Sequence, residues 1–342
     1  SFTDNDNELL ENYNYIYPHL DDRLFNVKIA RKAEFNENKY NVTLDDDLDF
    51  QEKAGQLCNQ EFELLEHQNF VKNFISFYTP YNSLLLYHGL GTGKTCSAIN
   101  IAENIRDYYK YNNINKKILI VASPKVRENF RLQLFDESKL KIVNNKWQIN
   151  NCAGNNLLKN INMLNTSVSK EKVKMLVNNI IDTYYDFVGY IKFANIITKE
   201  SNIDNLTTGK KYSIKQKNIL IKNKLQKYFG ERLIIIDEIH NIRYSDDNSN
   251  KLVATELHKL VTNVDNMKLI LMSATPIFND YKEIIFLINI LNLNDKRSTI
   301  EVDDVFNKDG SFKVTVDGVE IGKQLLIRKL NGYISYVKGD NP

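Results

Sequence analysis

An α/β domain, doubly wound around a central and mostly parallel sheet with helices on its faces, is the fold class the sequence predicts. Three features predict it. Short apolar runs of Ile, Leu and Val recur at Leu84 to Tyr87, Ile118 to Ala122, Leu233 to Ile236 and Leu269 to Met272, and such runs are expected of strands buried on both faces. Helical patterns alternate with them. The first run also breaks into a glycine-rich turn directly before one of those helices.

In chain order, residues 1–60 are acidic, with "LDDDLDFQE" as a local run, and are expected to form an accessory extension ahead of a main lobe at 61–295. After Lys94, the residues Ala98, Ile101, Ala102, Ile105 and Tyr108 fall on one face at helical spacing. "VASPKVRENF" (121–130) follows the second strand. Residues 136–230 are rich in Asn and read as an insertion or an elaborated crossover. Within them, "KKYSIKQKNILIKNKLQK" (210–227) is almost purely basic. Such a run is ordinarily a solvated face, and a polyanion contact gains weight only if other residues point to nucleic acid. "SNKLVATELHKLV" (249–261) and "DYKEIIFLINIL" (280–291) repeat the helical spacing. Beyond them, Asp309-Gly310 and Asp317-Gly318 flank the alternating Phe312, Val314 and Val316, which predicts a small β-meander within 296–342.

The chain of 342 residues carries a net charge of +2 and 42% hydrophobic residues, so it is long enough to bury a sizeable core. No run approaches the roughly 20 apolar residues of a membrane span, and no membrane partner is expected. The first residue is Ser rather than Met, as in a trimmed longer chain. Cys58, Cys96 and Cys152 are few, odd in number and without metal-ligand spacing, which favours a reducing compartment over a disulfide framework.

The chemistry concentrates in two clusters. In "HGLGTGKT" (88–95), Gly89, Gly91 and Gly93 let the backbone curl so that N–H groups, including those of Thr92, Thr95 and Cys96, face an anion. The following helix adds its unpaired amides and the positive end of its dipole. Lys94 would hold the β- and γ-phosphates and Thr95 a Mg²⁺ ion, so the expected ligand is a nucleoside triphosphate. His88 replaces the first glycine of the usual pattern and reads as a strand-end residue. The second cluster, "RLIIIDEIHN" (232–241), ends an apolar strand in adjacent carboxylates, which is costly unless they face a cation and a reaction. Asp237 would hold Mg²⁺, and Glu238 would orient and deprotonate the water that attacks the γ-phosphate.

Lys94-Thr95, the box Asp237-Glu238-Ile239-His240 and the triad Ser273-Ala274-Thr275 occur in the order of motifs I, II and III of superfamily 2 helicases and related DNA translocases, and the chain resembles that family. "FELLEHQNFV" (62–71) is similar to the segment in which a glutamine, here Gln68, recognises adenine. Closer likeness is to helicase-like ATPases of nucleocytoplasmic large DNA viruses, a group that includes the poxvirus early transcription factor small subunit and nucleoside triphosphate phosphohydrolase I. "FNVKIARKAEF" (25–35), "FVGYIKFAN" (187–195) and "GYISYVKGDNP" (332–342) extend it over most of the chain.

The resemblance implies a RecA-like first lobe that binds ATP with Mg²⁺, with catalytic Lys94, Asp237 and Glu238. His240, Ser273 and Thr275 would couple the site to a second lobe. Ser123, Lys125 and Arg127 would contact DNA or RNA, and RNA polymerase or transcription factor subunits would be partners. The setting would be the host cytoplasm, in a viral factory, or the virion. No arginine-finger segment follows Pro276, so 296–342 is expected to begin the linker to a second lobe. Since such a finger contributes about 10³ to 10⁵ in rate, this stretch alone is expected to hydrolyse ATP feebly. The alternative is a P-loop protein serving as a structural or regulatory subunit of a viral transcription complex without unwinding.

Overall fold

The computed structural model describes residues 17–39, 65–89, 91–162, 168–203, 212–242, 248–276 and 280–338. In chain order its elements are α1 (Phe25–Arg31), α2 (Ala33–Asn36), α3 (Glu66–Phe74), β1 (Ser83–His88), α4 (Lys94–Tyr111), β2 (Ile118–Val121) and α5 (Pro124–Leu134). There follow β3 (Leu140–Val143), β4 (Lys146–Ile149), α6 (Lys159–Asn162), α7 (Lys170–Tyr184), β5 (Tyr185–Val188), α8 (Tyr190–Ser201) and α9 (Ile214–Phe229). The last are β6 (Leu233–Ile236), α10 (Asn248–Asn263), β7 (Lys268–Ser273), α11 (Glu283–Asn294), α12 (Val302–Val305), α13 (Ile321–Leu330) and β8 (Ile334–Val337).

Among the described residues the sheet has six strands in the order β5-β2-β6-β7-β1-β8, and every pairing among them is parallel. β2, β6 and β7 are buried along their whole length, because helices cover both faces; this is why their sequences are unbroken apolar runs. The interposition of β7 between β1 and β6 sets the distance between the two chemical clusters.

Several expectations change. Residues 136–230, expected as an insertion or an elaborated crossover, take the second form: among the described residues the antiparallel pair β3–β4 stands apart, whereas β5 joins the main sheet beside β2. The stretch 296–342 does not begin outside the lobe either, since β8 pairs with β1 from Leu85↔Ile334 to His88↔Val337. No β-meander forms among residues 301–320. Phe306 and Phe312 make one isolated bridge and stack at 5.3 Å, in a satellite core with Ile284, Ile288 and Val305. Val314 and Val316 have no strand to oppose them and stay 55% and 106% exposed; period-2 spacing needs a partner surface.

Of the extension at 1–60, residues 17–39 are described, and they share the main core. Phe25, Phe74 and Tyr81 pack ring on ring at 4.5 to 6.3 Å, and the Tyr81 hydroxyl donates to the Pro18 carbonyl at 2.8 Å. The acidic run at 44–52 and Cys58 lie outside the described residues. Cys96 and Cys152 form a disulfide, a correction to the reading of unpaired thiols: the segment after β4 folds back over the first turn of α4, bringing together residues 56 positions apart.

Three backbone segments meet where the meander was expected. Gly322 N–H donates to the Lys313 carbonyl at 3.1 Å, and Lys313 N–H to the Val305 carbonyl at 2.9 Å. A Cβ at Gly322 would lie 2.0 Å from the Val305 oxygen, against backbone that cannot yield. Gly322→Ala is therefore expected to cost about 2 kcal/mol or more, whereas the exposed Val316→Ser should stay within about 0.5 kcal/mol. Urea denaturation of the two variants compares them.

Candidate active site

Parallel register brings the carboxyl ends of β1, β7 and β6 to one edge, with Tyr87 opposite Ser273 and Leu271 opposite Ile236. From β1 the chain enters a turn in which Gly91 (φ 79°) and Gly93 (φ 77°) are left-handed, a conformation that favours glycine. The Thr92 hydroxyl closes the turn by donating to the Gly89 carbonyl at 2.8 Å. Gly93 is also the N-cap of α4, and no side chain caps the first turn. Its amides are thus presented to an anion. Lys94 and Thr95 open the helix, and because the Cys96 sulfur is held in the disulfide, that residue can offer only its amide.

Gln68, 3% exposed, leans on this turn. Its Oε1 accepts from Leu65 N–H at 3.2 Å and its Nε2 donates to the Gly93 carbonyl at 3.4 Å. A Cβ at Gly93 would come within 2.5 Å of that Nε2. The expected adenine-recognising glutamine therefore also braces the glycine turn. His88 is buried, with Nε2 2.9 Å from the Ser335 hydroxyl on β8 and its ring edge-on to His67 at 5.5 Å. Burial, with lesser contributions from His67 and Lys94, pushes its pKa down to about 4. It is a neutral strand-end residue, as its position implied.

At the end of β6, Asp237 is 5% exposed and burial raises its pKa; Lys94 opposes the rise and Glu238 adds to it. Glu238 adopts φ 48° and ψ 54°, a left-handed conformation that costs a non-glycine residue on the order of 1 kcal/mol. The turn is secured by Glu238 N–H donating to Asp237 Oδ1 at 2.9 Å and by the Tyr190 hydroxyl donating to the Asp237 carbonyl at 2.8 Å.

The two clusters meet. Lys94 Nζ lies 3.7 Å from Glu238 Oε1, and Glu238 Oε2 lies 3.3 Å from His240 Nδ1. His240 Nδ1 is 3.0 Å from the Ser273 hydroxyl oxygen, which accepts the Thr275 N–H at 3.0 Å. One polar chain thus runs from the glycine turn to the residues after β7. Among the described residues, no group of three or more His, Cys, Asp or Glu could hold a metal by itself. Asp237 is buried and its carboxyl is held above the ordinary range by that burial, so a cation beside it would stabilise its ionised form.

Ser123 starts α5 at the carboxyl end of β2, and Lys125 is exposed there. Arg127 is tucked in, its Nη1 donating to the Phe187 carbonyl on β5 at 3.5 Å. Trp147 packs against the core and donates to the Val168 carbonyl at 3.2 Å, which makes it structural. Of the basic run, 210 and 211 lie outside the described residues, and Lys222 pairs with Asp265 at 3.2 Å. The sequence reading missed the roles of Tyr190 and His67. "FVGYIKFAN" was noticed, but nothing in it announces a contact with Asp237, 47 residues away.

Residues 66–335 match the family described as SNF2-related domain. Two proteins of Acanthamoeba polyphaga mimivirus, whose names place them among ATP-dependent RNA helicases, are each 29% identical to the chain. One match covers 99% of this chain and 28% of the relative, the other 85% and 44%. Nucleoside triphosphatase I of Heliothis armigera entomopoxvirus is 27% identical over 70% of this chain and 29% of its own length. An early transcription factor large subunit homolog of African swine fever virus is 27% identical over 67% of this chain and 23% of its own. The chain spans less than half the length of these relatives.

Because His88 stays neutral in the fold down to about pH 4 while an unfolded histidine takes up its proton near pH 6.5, the unfolded state binds more protons in between. Stability from this residue is therefore complete above that range and lost on acidification, by about 2 kcal/mol between pH 7 and pH 5. His88→Gln keeps a polar group for Ser335 and cannot titrate. Thermal melts at the two pH values should show a smaller loss for the variant than for the parent protein.

Proposed function

Since the chain belongs to the family of SNF2-related domains, we propose that it is the ATP-hydrolysing lobe of a nucleic-acid-dependent motor of the superfamily 2 helicase and translocase type. The observation that carries this reading is the continuous chain Lys94–Glu238–His240–Ser273–Thr275. A glycine turn that merely binds phosphate has no use for it, and a motor must transmit the state of its nucleotide.

In this reading the amides of Gly91 to Cys96 and the Lys94 ammonium hold the triphosphate, and Gln68 meets the base. Thr95 and Asp237 hold Mg²⁺, which when bound neutralises charge on the β- and γ-phosphates. Glu238 takes a proton from the water that attacks the γ-phosphorus, so that the bond to the bridging oxygen breaks and ADP and phosphate leave. His240, beside the Glu238 carboxylate and the Ser273 hydroxyl, registers that change of charge and passes it to the residues after β7. DNA or RNA runs over the carboxyl edge of the sheet, held by phosphate contacts from the α5 entry, with Ser123 and Lys125 in front and Arg127 behind.

The mimivirus relatives named for RNA helicase activity and the early transcription factor homolog support a place in viral transcription, with polymerase or transcription factor subunits as partners. A viral factory in the host cytoplasm, or the virion, is the corresponding setting.

In the full-length protein, Glu238→Gln is expected to bind ATP with near-parental affinity while kcat falls about 100-fold or more, and Lys94→Ala to weaken nucleotide binding as well. Steady-state hydrolysis with and without DNA and RNA, together with binding of a fluorescent ATP analogue, measures both. Hydrolysis indifferent to every polynucleotide would favour a structural or regulatory subunit. Lys125→Glu should weaken nucleic-acid binding uniformly across sequences and flatten its salt dependence by about one unit of slope, as read by fluorescence anisotropy.

A further inference from the structure

Tyr190 is the first residue of α8, just past the end of the outermost strand β5. The acid pair leaves β6, on the far side of β2. The Tyr190 side chain spans that interval and donates to the Asp237 carbonyl at 2.8 Å. The start of the turn that carries Glu238 is therefore held by one phenol. The turn needs such holding: Glu238 is left-handed without being glycine, and the remaining backbone ties are Asp237 N–H to the Val121 carbonyl on β2 at 3.0 Å and two local ones, Asn241 N–H to the Glu238 carbonyl at 2.9 Å and Ile242 N–H to the Ile239 carbonyl at 2.8 Å. Burial pushes the Tyr190 pKa up to about 12, so the phenol remains a donor at neutral pH.

The other end of Tyr190 is equally placed. β5 receives the Arg127 guanidinium at the Phe187 carbonyl, 3.5 Å away, and the Ala122 N–H at the Val188 carbonyl, 3.0 Å away. The backbone at Ala122 leads directly into Ser123 and α5. Hence the surface proposed to meet nucleic acid and the turn bearing the catalytic carboxylate both hang on the short stretch from Phe187 to Tyr190.

We propose that Tyr190 is a positioning residue through which occupancy of the α5 entry by nucleic acid sets the Asp237–Glu238 turn for hydrolysis. The inference rests on the motor reading above. A shift of the α5 entry pulls on the end of β5, and Tyr190 delivers that pull to the carbonyl next to Glu238. Misplacing a catalytic group by about 1 Å costs roughly 100-fold in rate, so a small displacement suffices for control.

The test is Tyr190→Phe in the full-length protein, with Lys94→Ala as the reference. Tyr190→Phe is expected to leave Tm, ATP-analogue affinity and nucleic-acid affinity within about twofold or a few degrees of the parent. Its kcat at saturating nucleic acid should fall about tenfold or more, at unchanged KM, with loss of most of the nucleic-acid stimulation. Parental kcat and stimulation in Tyr190→Phe would overturn the proposal, as would a joint fall of Tm, affinity and kcat, which marks a merely structural role. Persistence of hydrolysis in Lys94→Ala would instead overturn the motor reading. Inactive Lys94→Ala beside parental Tyr190→Phe would sink the positioning role alone.

Discussion

Anionic oxygen at the end of a dry strand demands a compensating positive charge, and this requirement organises the lobe. β6 has no exposed residue, and it ends in Asp237, whose burial holds its carboxyl above the ordinary range, and in Glu238. The compensation comes from a different part of the chain: Lys94, on the helix after β1, separated from β6 by the width of β7. Placing the ammonium within 3.7 Å of Glu238 requires β1, β7 and β6 to end level with one another. The parallel register, the buried apolar faces and the glycine turn together satisfy that demand.

At the opposite edge of the sheet a second, largely buried set of charges fastens the fold. Lys268, 1% exposed, donates to the carbonyls of Thr79 and Tyr81 at 3.2 and 2.9 Å, and burial lowers its pKa to about 8. Asp295 accepts the Asn82 N–H at 3.0 Å, and Arg297 reaches Asp21 at 2.5 Å. The contrast is instructive. Here each charged group is matched by backbone or an ion partner, whereas at the carboxyl edge the first-turn amides of α4 are left without a cap.

What could be read from the sequence follows from the same physics. β1, β2, β6 and β7 are central strands, so their apolar runs were unmistakable, and the glycines, Lys94 and the acid pair stood at their ends. β5 and β8 are edge strands, β5 only half-buried at its middle residues and β8 alternating between exposed and half-buried; "YDFV" and "ISYV" carry no such run, and spacing alone does not reveal their membership of the sheet. The meander failed because alternation at Phe312, Val314 and Val316 specifies a strand only if a partner lies alongside. The His240–Ser273 contact and the Tyr190 bridge depend on which strands are neighbours, a matter of topology that residue spacing does not encode. The disulfide likewise joins segments that only the fold-back of β3–β4 brings together.

The pairing of β8 with β1 has a consequence for synthesis. His88 and Val337 are paired though roughly 250 residues apart, an interval of tens of seconds at translation rates of about 5–20 residues per second. Through that interval the strand that feeds the glycine turn has an open flank, with backbone groups available to any passing extended peptide. A ribosome-associated chaperone, or a pause before β8 is synthesised, would bear most heavily on this flank, which closes only when β8 emerges.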